Sequence, residues 1–167
     1  PLDSLGARGR ARRLAYVPQA AGAVPPFTVR DFVLMGRYPH LSPFSTPGEE
    51  DFRSVNKALE TTDTGHLAER ALDRLSGGER QMVFIAAAIA QQADVLLLDE
   101  PATFLDYRHQ LQVMRTLETL NTGHGATIIV VSHDINRAAR RSKRILALRN
   151  GSCLLEGTPR DVLRPDV

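Results

Sequence analysis

The segment Leu75-Ser76-Gly77-Gly78-Glu79-Arg80-Gln81 stands directly before an Ala-rich stretch, and Val95-Leu96-Leu97-Leu98-Asp99-Glu100-Pro101 follows it. The first segment places a hydroxyl and two glycines at the start of a predicted helix, where unpaired N–H groups favour anions. Glycines also let the backbone approach a phosphate closely. The second segment is an apolar run, typical of a strand covered on both faces, that ends in two carboxylates.

Strand and helix patterns alternate along the chain, which predicts an α/β protein with a parallel, doubly wound sheet. Strands are predicted over 14–17, 95–98 and 127–131, and helices over about 27–35, 47–61, 81–92, 107–120 and 135–141. Thr46-Pro47 is the expected start of the second of these helices. Asn150-Gly151 predicts a hairpin, and Thr158-Pro159 predicts the start of a terminal helix.

The composition limits the classes of function. At 43% hydrophobic residues the chain can bury a core, and a net charge of +2 gives no overall field towards nucleic acid. Basic runs at 8–13 and 137–144 lack interleaved aromatics and are interpreted as solvated faces. The single cysteine, Cys153, excludes an internal disulfide, indicates a reducing compartment and is interpreted as a small core residue. No apolar run approaches the ~20 residues that span a bilayer, so a membrane role requires a partner.

The two carboxylates after the second predicted strand are candidate site residues, because ligands of open α/β sheets bind beyond the carboxyl ends of strands. Asp99 is a candidate Mg²⁺ ligand, directly or through water. Glu100 lies one residue further out and is a candidate to accept a proton from an attacking water. Taken alone, each motif has an ordinary alternative: a solvated acidic turn for the carboxylates and a simple helix cap for Ser76.

Residues 75–81 together with Asp99-Glu100 resemble the ATP-binding subunits of ABC transporters, and the resemblance covers nearly the whole chain. It implies a P-loop NTPase-type parallel sheet core, here residues 1–27 and 82–167, with an inserted α-helical subdomain, here residues 28–81. It also implies ATP and Mg²⁺ as ligands and ATP hydrolysis coupled to transport. In the family, Ser76, Gly77 and Gly78 face the nucleotide of a partner subunit, which implies a homodimer.

Three further residues match the family by position. Gln19, after the first predicted strand, resembles the Q-loop glutamine, which reaches Mg²⁺ and the attacking water. Asp106 resembles the D-loop aspartate, although Thr103 and Phe104 replace the usual small residues before it. His133, after a predicted strand, resembles the switch histidine near the γ-phosphate. Other histidines lack such a position, and three of them are interpreted as surface residues: His66, His109 and His124.

One element of the family is missing from the sequence. No segment has the pattern G-x-x-x-x-G-K-[ST], and Gly6 and Gly9 lie among arginines. In the family this phosphate-binding loop lies a few dozen residues before the Q-loop glutamine, whereas only 18 residues precede Gln19 here. We therefore expect an N-terminally truncated ATPase core, and we expect this chain alone neither to hydrolyse ATP nor to bind it tightly.

The segment Gly36-Arg37-Tyr38-Pro39-His40 resembles the ATPases of iron–siderophore, haem and cobalamin importers. The resemblance implies transmembrane permease subunits as partners and a peripheral location on the cytoplasmic face of the plasma (inner) membrane. Tyr38 and Pro39 suit the docking of a short permease helix, and packing within the subdomain is the alternative. Two other readings stay open: a soluble ABC ATPase acting on nucleic acid or ribosomes, which usually carries coiled-coil or basic insertions absent here, and a non-catalytic remnant. Nucleic acid is not an expected partner.

These assignments lead to a geometric expectation. Gln19, Asp99, Glu100 and His133 should converge on one cleft at the carboxyl edge of the sheet, because each follows a predicted strand. Ser76 and Gly77 should lie away from that cleft within a single subunit.

Overall fold

The computed structural model describes residues 2–19, 26–123 and 125–163. Its helices are α1 (Ala7–Arg13), α2 (Val29–Met35), α3 (Glu49–Thr61), α4 (Gly77–Ala90), α5 (Tyr107–Gly123), α6 (Ile135–Arg141) and α7 (Pro159–Val162). Its strands are β1 (Leu14–Val17), β2 (Val95–Asp99), β3 (Thr127–Val131), β4 (Ile145–Arg149) and β5 (Ser152–Gly157). The chain divides into two compact units, Pro1–Val131 and Ser132–Val167.

The first unit contains a parallel sheet of three strands in the order β1-β2-β3. In its register Val95 of β2 lies beside Leu14 and Thr127, and Asp99 lies beside Val131. All three strands therefore end at the same edge, which β1 reaches just before Pro18-Gln19 and β2 reaches at Asp99. This confirms the α/β prediction and places two of the predicted site segments on one rim.

From Met82 onward, helix α4 is apolar around its whole circumference because it packs into two cores. One face contributes Val83, Ala86 and Ala90 to a core shared with α2 and α3. The opposite face contributes Met82 and Ile85 to a core shared with β1, β2 and α5. A helix that is buried on all sides needs no polar face, which explains its Ala- and Ile-rich sequence.

Helix α3 starts later than the sequence predicted. Gly48, not Thr46, is its N-cap, and the helix begins at Glu49. The backbone N–H of Gly48 donates to the carboxylate of Asp51 at 3.0 Å. Asp51 is in turn held by Arg37, so the residue that caps the helix start also belongs to a buried ion pair.

The second unit contains the predicted hairpin of β4 and β5. Asn150 and Gly151 form its turn with φ angles of 50° and 76°, the left-handed pair that Asn-Gly favours in a tight hairpin. Cys153 on β5 is exposed, which corrects its interpretation as a core residue. In the described part of the chain, no helix combines the length and the apolar character needed to cross a membrane.

Candidate functional site

Glu100 lies just past the end of β2 in a left-handed backbone conformation, with φ of 45°. Its N–H donates to the carbonyl oxygen of Val131 at 3.0 Å, which ties the turn to the end of β3. This conformation costs a non-glycine residue about 1 kcal/mol, so the sheet holds Glu100 in a strained position. Backbone strain of this kind concentrates at functional sites.

The side chains of Thr103 and Gln19 both contact the Glu100 carboxylate. The Thr103 hydroxyl donates to Oε2 at 2.8 Å, and the Gln19 amide Nε2 donates to the same oxygen at 3.4 Å. Gln19 and Glu100 are 81 residues apart in sequence, and their expected meeting at the sheet edge is confirmed. Thr103, which in sequence is only a departure from the family pattern, orients the carboxylate through its hydroxyl.

Asp99 is the last residue of β2, and its Oδ2 accepts a long hydrogen bond of 3.4 Å from the Tyr16 hydroxyl on β1. Among residues 2–19, 26–123 and 125–163, no group of three or more His, Cys, Asp or Glu side chains is placed to hold a metal ion by itself. Mg²⁺ often binds one or two carboxylates and completes its shell with phosphate oxygens and water. The Asp99 carboxylate and the Gln19 amide oxygen are hard oxygen donors that fit such a shared ion.

Ser76 caps α4 through a reciprocal capping box. Its hydroxyl accepts from the Glu79 N–H at 3.3 Å, and Glu79 Oε2 accepts from the Ser76 N–H and hydroxyl, both at 2.8 Å. The bond from the Ser76 backbone N–H, followed by that from its hydroxyl, holds the pKa of Glu79 below its usual value. The ordinary capping role of Ser76 is therefore present, and helix geometry leaves the N–H groups of Gly77 and Gly78 without intrahelical acceptors.

The two glycines of this helix start have different surroundings. Gly77 is exposed, and a Cβ added to it would meet no atom within 4 Å. Gly78 is buried, and a Cβ there would overlap the imidazole ring of His109. His109 has a side chain only 25% exposed, which corrects its interpretation as a surface residue.

Asp106 precedes α5 and contacts His109 twice. Its carboxylate accepts from the His109 backbone N–H at 2.9 Å, and both carboxylate oxygens lie 2.9 Å from Nδ1 of the His109 ring. The backbone bond is the main cause that lowers the pKa of Asp106, and the ring bond is the next. The spacing Asp106-x-x-His109 is typical of a side chain that caps a helix, so this signal was available in the sequence.

The segment 36–40 divides into buried and exposed parts. Arg37 is buried and donates to Asp51 Oδ1 at 2.9 Å and to Ala90 O and Gln92 Oε1, both at 2.8 Å. Tyr38, by contrast, is 57% exposed. Arg37 thus packs against Asp51 within residues 28–81 and against Ala90 and Gln92 outside them, whereas Tyr38 stays available on the surface.

The remaining histidines lie in different places. His133 belongs to the second unit, between β3 and α6, and its approach to Glu100 stays a prediction. His40 contacts the carbonyl oxygen of Gln91 through Nε2 at 2.8 Å. His66 is exposed as expected, and His124 lies outside the described residues.

Residues 3–103 match the ABC transporter family. The iron(3+)-hydroxamate import ATP-binding protein of Bacillus subtilis is 43% identical over 166 residues, which are 99% of this chain and 62% of that protein. The ferric enterobactin transport ATP-binding protein of Escherichia coli is 39% identical over 157 residues, covering 94% and 58%. A cobalamin import ATP-binding protein of Halobacterium salinarum is 39% identical over 165 residues, covering 99% and 41%. The chain thus spans less than two thirds of the length of these relatives.

Solved structures share the same architecture. An inward-facing metal-chelate type ABC transporter superposes with a TM-score of 0.86 at 32% identity, over 92% of this chain and 61% of that chain. A dimeric bacterial ABC transporter cassette superposes with a TM-score of 0.78 at 28% identity, over 94% and 69%. Together with the family match over residues 3–103 and the similar relatives, these superpositions show that the chain has the P-loop NTPase fold and belongs to the ABC transporter family of ATP-binding proteins.

Proposed function

We propose that the protein is the ATP-binding subunit of an ABC importer, which couples ATP hydrolysis to the uptake of an iron chelate, haem or cobalamin. The observation that carries the proposal is the Glu100 carboxylate, held at the carboxyl end of β2 beside Gln19 and next to Asp99. The relatives named for iron(3+)-hydroxamate, enterobactin and cobalamin import support the choice of cargo.

In the proposed mechanism Glu100 is the general base. The attacking water transfers a proton to the Glu100 carboxylate as its oxygen approaches the γ-phosphate. The Thr103 hydroxyl restricts the rotation of that carboxylate, and the Gln19 amide lies beside it. His133 is proposed to contact the γ-phosphate.

Asp99 and the Gln19 amide oxygen are the residues proposed to hold Mg²⁺. When bound, Mg²⁺ neutralises charge on the phosphate oxygens. Ser76, Gly77 and Gly78 are proposed to bind the nucleotide of a second copy of the subunit, because the first N–H groups of a helix bind anions well. Asp106 is proposed to reach the same partner. The functional unit is then a homodimer with two shared sites.

The proposed partners beyond the dimer are transmembrane permease subunits, with the ATPase bound peripherally at the cytoplasmic face of the plasma (inner) membrane. The exposed ring of Tyr38, beside the rigid Pro39, is proposed to contact a permease helix, since an aromatic ring offers apolar area and a polar hydroxyl together. Residues 28–81 are proposed to form the helical subdomain that carries this surface.

The substitution Glu100→Gln tests the proposal in the protein expressed from its complete reading frame together with its permease. The amide keeps the shape of the carboxylate but cannot take a proton, so ATP turnover should fall at least about 100-fold while ATP binding persists. The complex should accumulate as a nucleotide-bound dimer. Glu60→Gln, on the exposed face of α3, is the matched control and should turn over normally. Near-normal hydrolysis by Glu100→Gln would show that Glu100 is not the base.

A further inference from the structure

His109 contacts two segments that are far apart in sequence. Its backbone N–H and its ring Nδ1 both bond the Asp106 carboxylate at 2.9 Å. A carboxylate can only accept, so Nδ1 carries the hydrogen. The orientation of the ring is thereby fixed by Asp106.

The same ring lies against the bare backbone of Gly78 in the first turn of α4. A Cβ at Gly78 would overlap ring atoms Cγ and Cδ2 and would lie 2.7 Å from Nδ1. At neighbouring Gly77 the same addition would meet nothing within 4 Å. The ring therefore occupies the space that any larger side chain at Gly78 would need.

The Asp106 side chain is held by His109, whereas Gln110 holds the adjacent backbone, through bonds of 2.9 Å to the carbonyl oxygens of Leu105 and Asp106. The Asp106 side chain is 64% exposed, and the residue follows a turn in which Glu100 and Phe104 have left-handed φ angles of 45° and 62°. Phe104 itself is 90% exposed. The turn is therefore anchored at the sheet by Glu100 and at its far end by α5, where His109 bonds the Asp106 carboxylate.

We propose that His109 is a positioning residue that locks Asp106 to the start of α4, so that Asp106 and the Gly77 and Gly78 N–H groups meet the partner subunit's nucleotide as one rigid piece. The inference rests on the proposed function, in which all three serve the partner's site. A cap of α5 would need only the bond to the backbone N–H of His109. The ring adds a second contact, from α5 to α4, that capping does not require.

The contact itself is tested by thermal unfolding of the protein from its complete reading frame. Gly78→Ala should lower Tm by about 5 °C, because the added methyl group forces the ring out of its place. Gly77→Ala is the matched control in the open position and should change Tm little. In a His109→Ala background, Gly78→Ala should lower Tm much less, because the ring no longer occupies the space of the added methyl group. An equal cost with and without the ring would overturn the inference.

The positioning role is tested by ATP turnover of His109→Ala and His109→Asn. We expect His109→Ala to lower kcat about tenfold, the effect of losing about 1.4 kcal/mol of transition-state stabilisation. ATP affinity of the separate subunit should not change, because the displaced groups serve the partner's nucleotide. The Asn amide can still donate to Asp106, so His109→Asn should recover part of kcat. A normal kcat for His109→Ala would overturn the inference.

Linked dimers separate this inference from the proposed function. Glu100→Gln in one copy and His109→Ala in the other leave one site intact, whereas both changes in one copy leave a defect in each site. The first linked dimer should hydrolyse ATP about tenfold faster than the second, because only its intact site escapes the tenfold loss caused by His109→Ala. Equal or reversed rates would overturn the inference. If Glu100→Gln alone leaves turnover intact, the proposed function fails, and the thermal measurement still decides whether His109 locks Gly78.

Discussion

Arg37 in the helical part and Glu100 at the sheet edge are both charged residues in recognisable motifs, but they are held in opposite ways. Arg37 has a side chain 3% exposed, and it donates hydrogen bonds of 2.8–2.9 Å to three partners. Glu100 is half-buried on a left-handed backbone, and its carboxylate accepts from the Thr103 hydroxyl at 2.8 Å and from the Gln19 amide at 3.4 Å. A short, buried network fixes the fold, whereas a half-buried carboxylate at the sheet edge keeps access to solvent and can accept a proton. The comparison predicts that substitutions in the two regions affect different properties.

The largest effect on stability is expected for Arg37→Ala. The substitution leaves the Asp51 carboxylate, only 12% exposed, without its cation and should lower the free energy of unfolding by about 3–5 kcal/mol. Arg53→Ala, at an exposed position on α3, the helix that carries Asp51, should change the free energy of unfolding by less than about 0.5 kcal/mol. Chemical denaturation of the wild type and of both variants measures these unfolding free energies. Similar unfolding free energies would show that the buried network is not what holds the helical part.

The second-largest effect on stability is expected at Gly36, which packs closely against α4 next to Arg37. A Cβ at Gly36 would overlap the carbonyl oxygen of Ala87 on α4 and would lie 3.0 Å from that of Val33. Gly36→Ala should therefore cost about 1–3 kcal/mol of unfolding free energy. Gly65→Ala, where a Cβ meets nothing within 4 Å, is the control and should be nearly neutral. If both variants unfold alike, the end of α2 moves away from α4 more easily than the geometry implies.

Local patterns in the sequence predicted most of the elements. The strand over 127–131 and the helix over 135–141 were predicted at their observed bounds, because periodicity and caps are local signals. The start of α3 was missed because Asp51, which accepts from the Gly48 N–H there, also pairs with the buried Arg37 in the turn after α2, and a local pattern does not show that contact. The exposure of Cys153 was missed because an apolar run does not reveal which face of a hairpin is covered.

The sequence predicted which residues form the candidate site and that Gln19 meets Glu100, but it did not predict the finer contacts. Gln19 and Glu100 meet because parallel strands end at one edge, a consequence of topology that the sequence pattern already implied. The left-handed backbone of Glu100 is held by a bond to Val131, and the partly buried His109 ring lies against Gly78. Both are contacts between elements distant in sequence, which propensities cannot show.

Substitutions at Thr103 test whether its hydroxyl bond to Glu100 serves catalysis or the fold. Thr103→Val keeps the shape of the side chain but removes the hydroxyl that donates to Glu100. A hydrogen bond to a charged group contributes about 1.5 kcal/mol, so kcat should fall about tenfold if the bond persists in the transition state. Thr103→Ser keeps the donor and should retain most of kcat, and neither variant should change stability by more than about 1 kcal/mol. Steady-state ATPase kinetics measure kcat, and chemical denaturation measures the stability of both variants. A large loss of stability with normal kcat would show that Thr103 supports the fold instead of catalysis.

The smallest effect is a pH dependence that belongs to the buried network. The Gly48 N–H, and after it the Arg37 guanidinium, hold the pKa of Asp51 below its usual value. Because the folded pKa is the lower one, Asp51 stabilises the fold fully above the unfolded pKa, at about pH 4, and this contribution is lost as the pH falls through the folded pKa. Unfolding free energies of the wild type and of Asp51→Asn should therefore differ by a constant amount at pH 5–7 and converge below about pH 4. Other carboxylates that titrate in this range, among them Glu79 and Asp106, are present in both proteins, so the difference isolates Asp51. Curves that stay parallel to pH 3 would mean that the charge of Asp51 does not contribute to the network, and that the helical part owes its stability to packing around α4 alone.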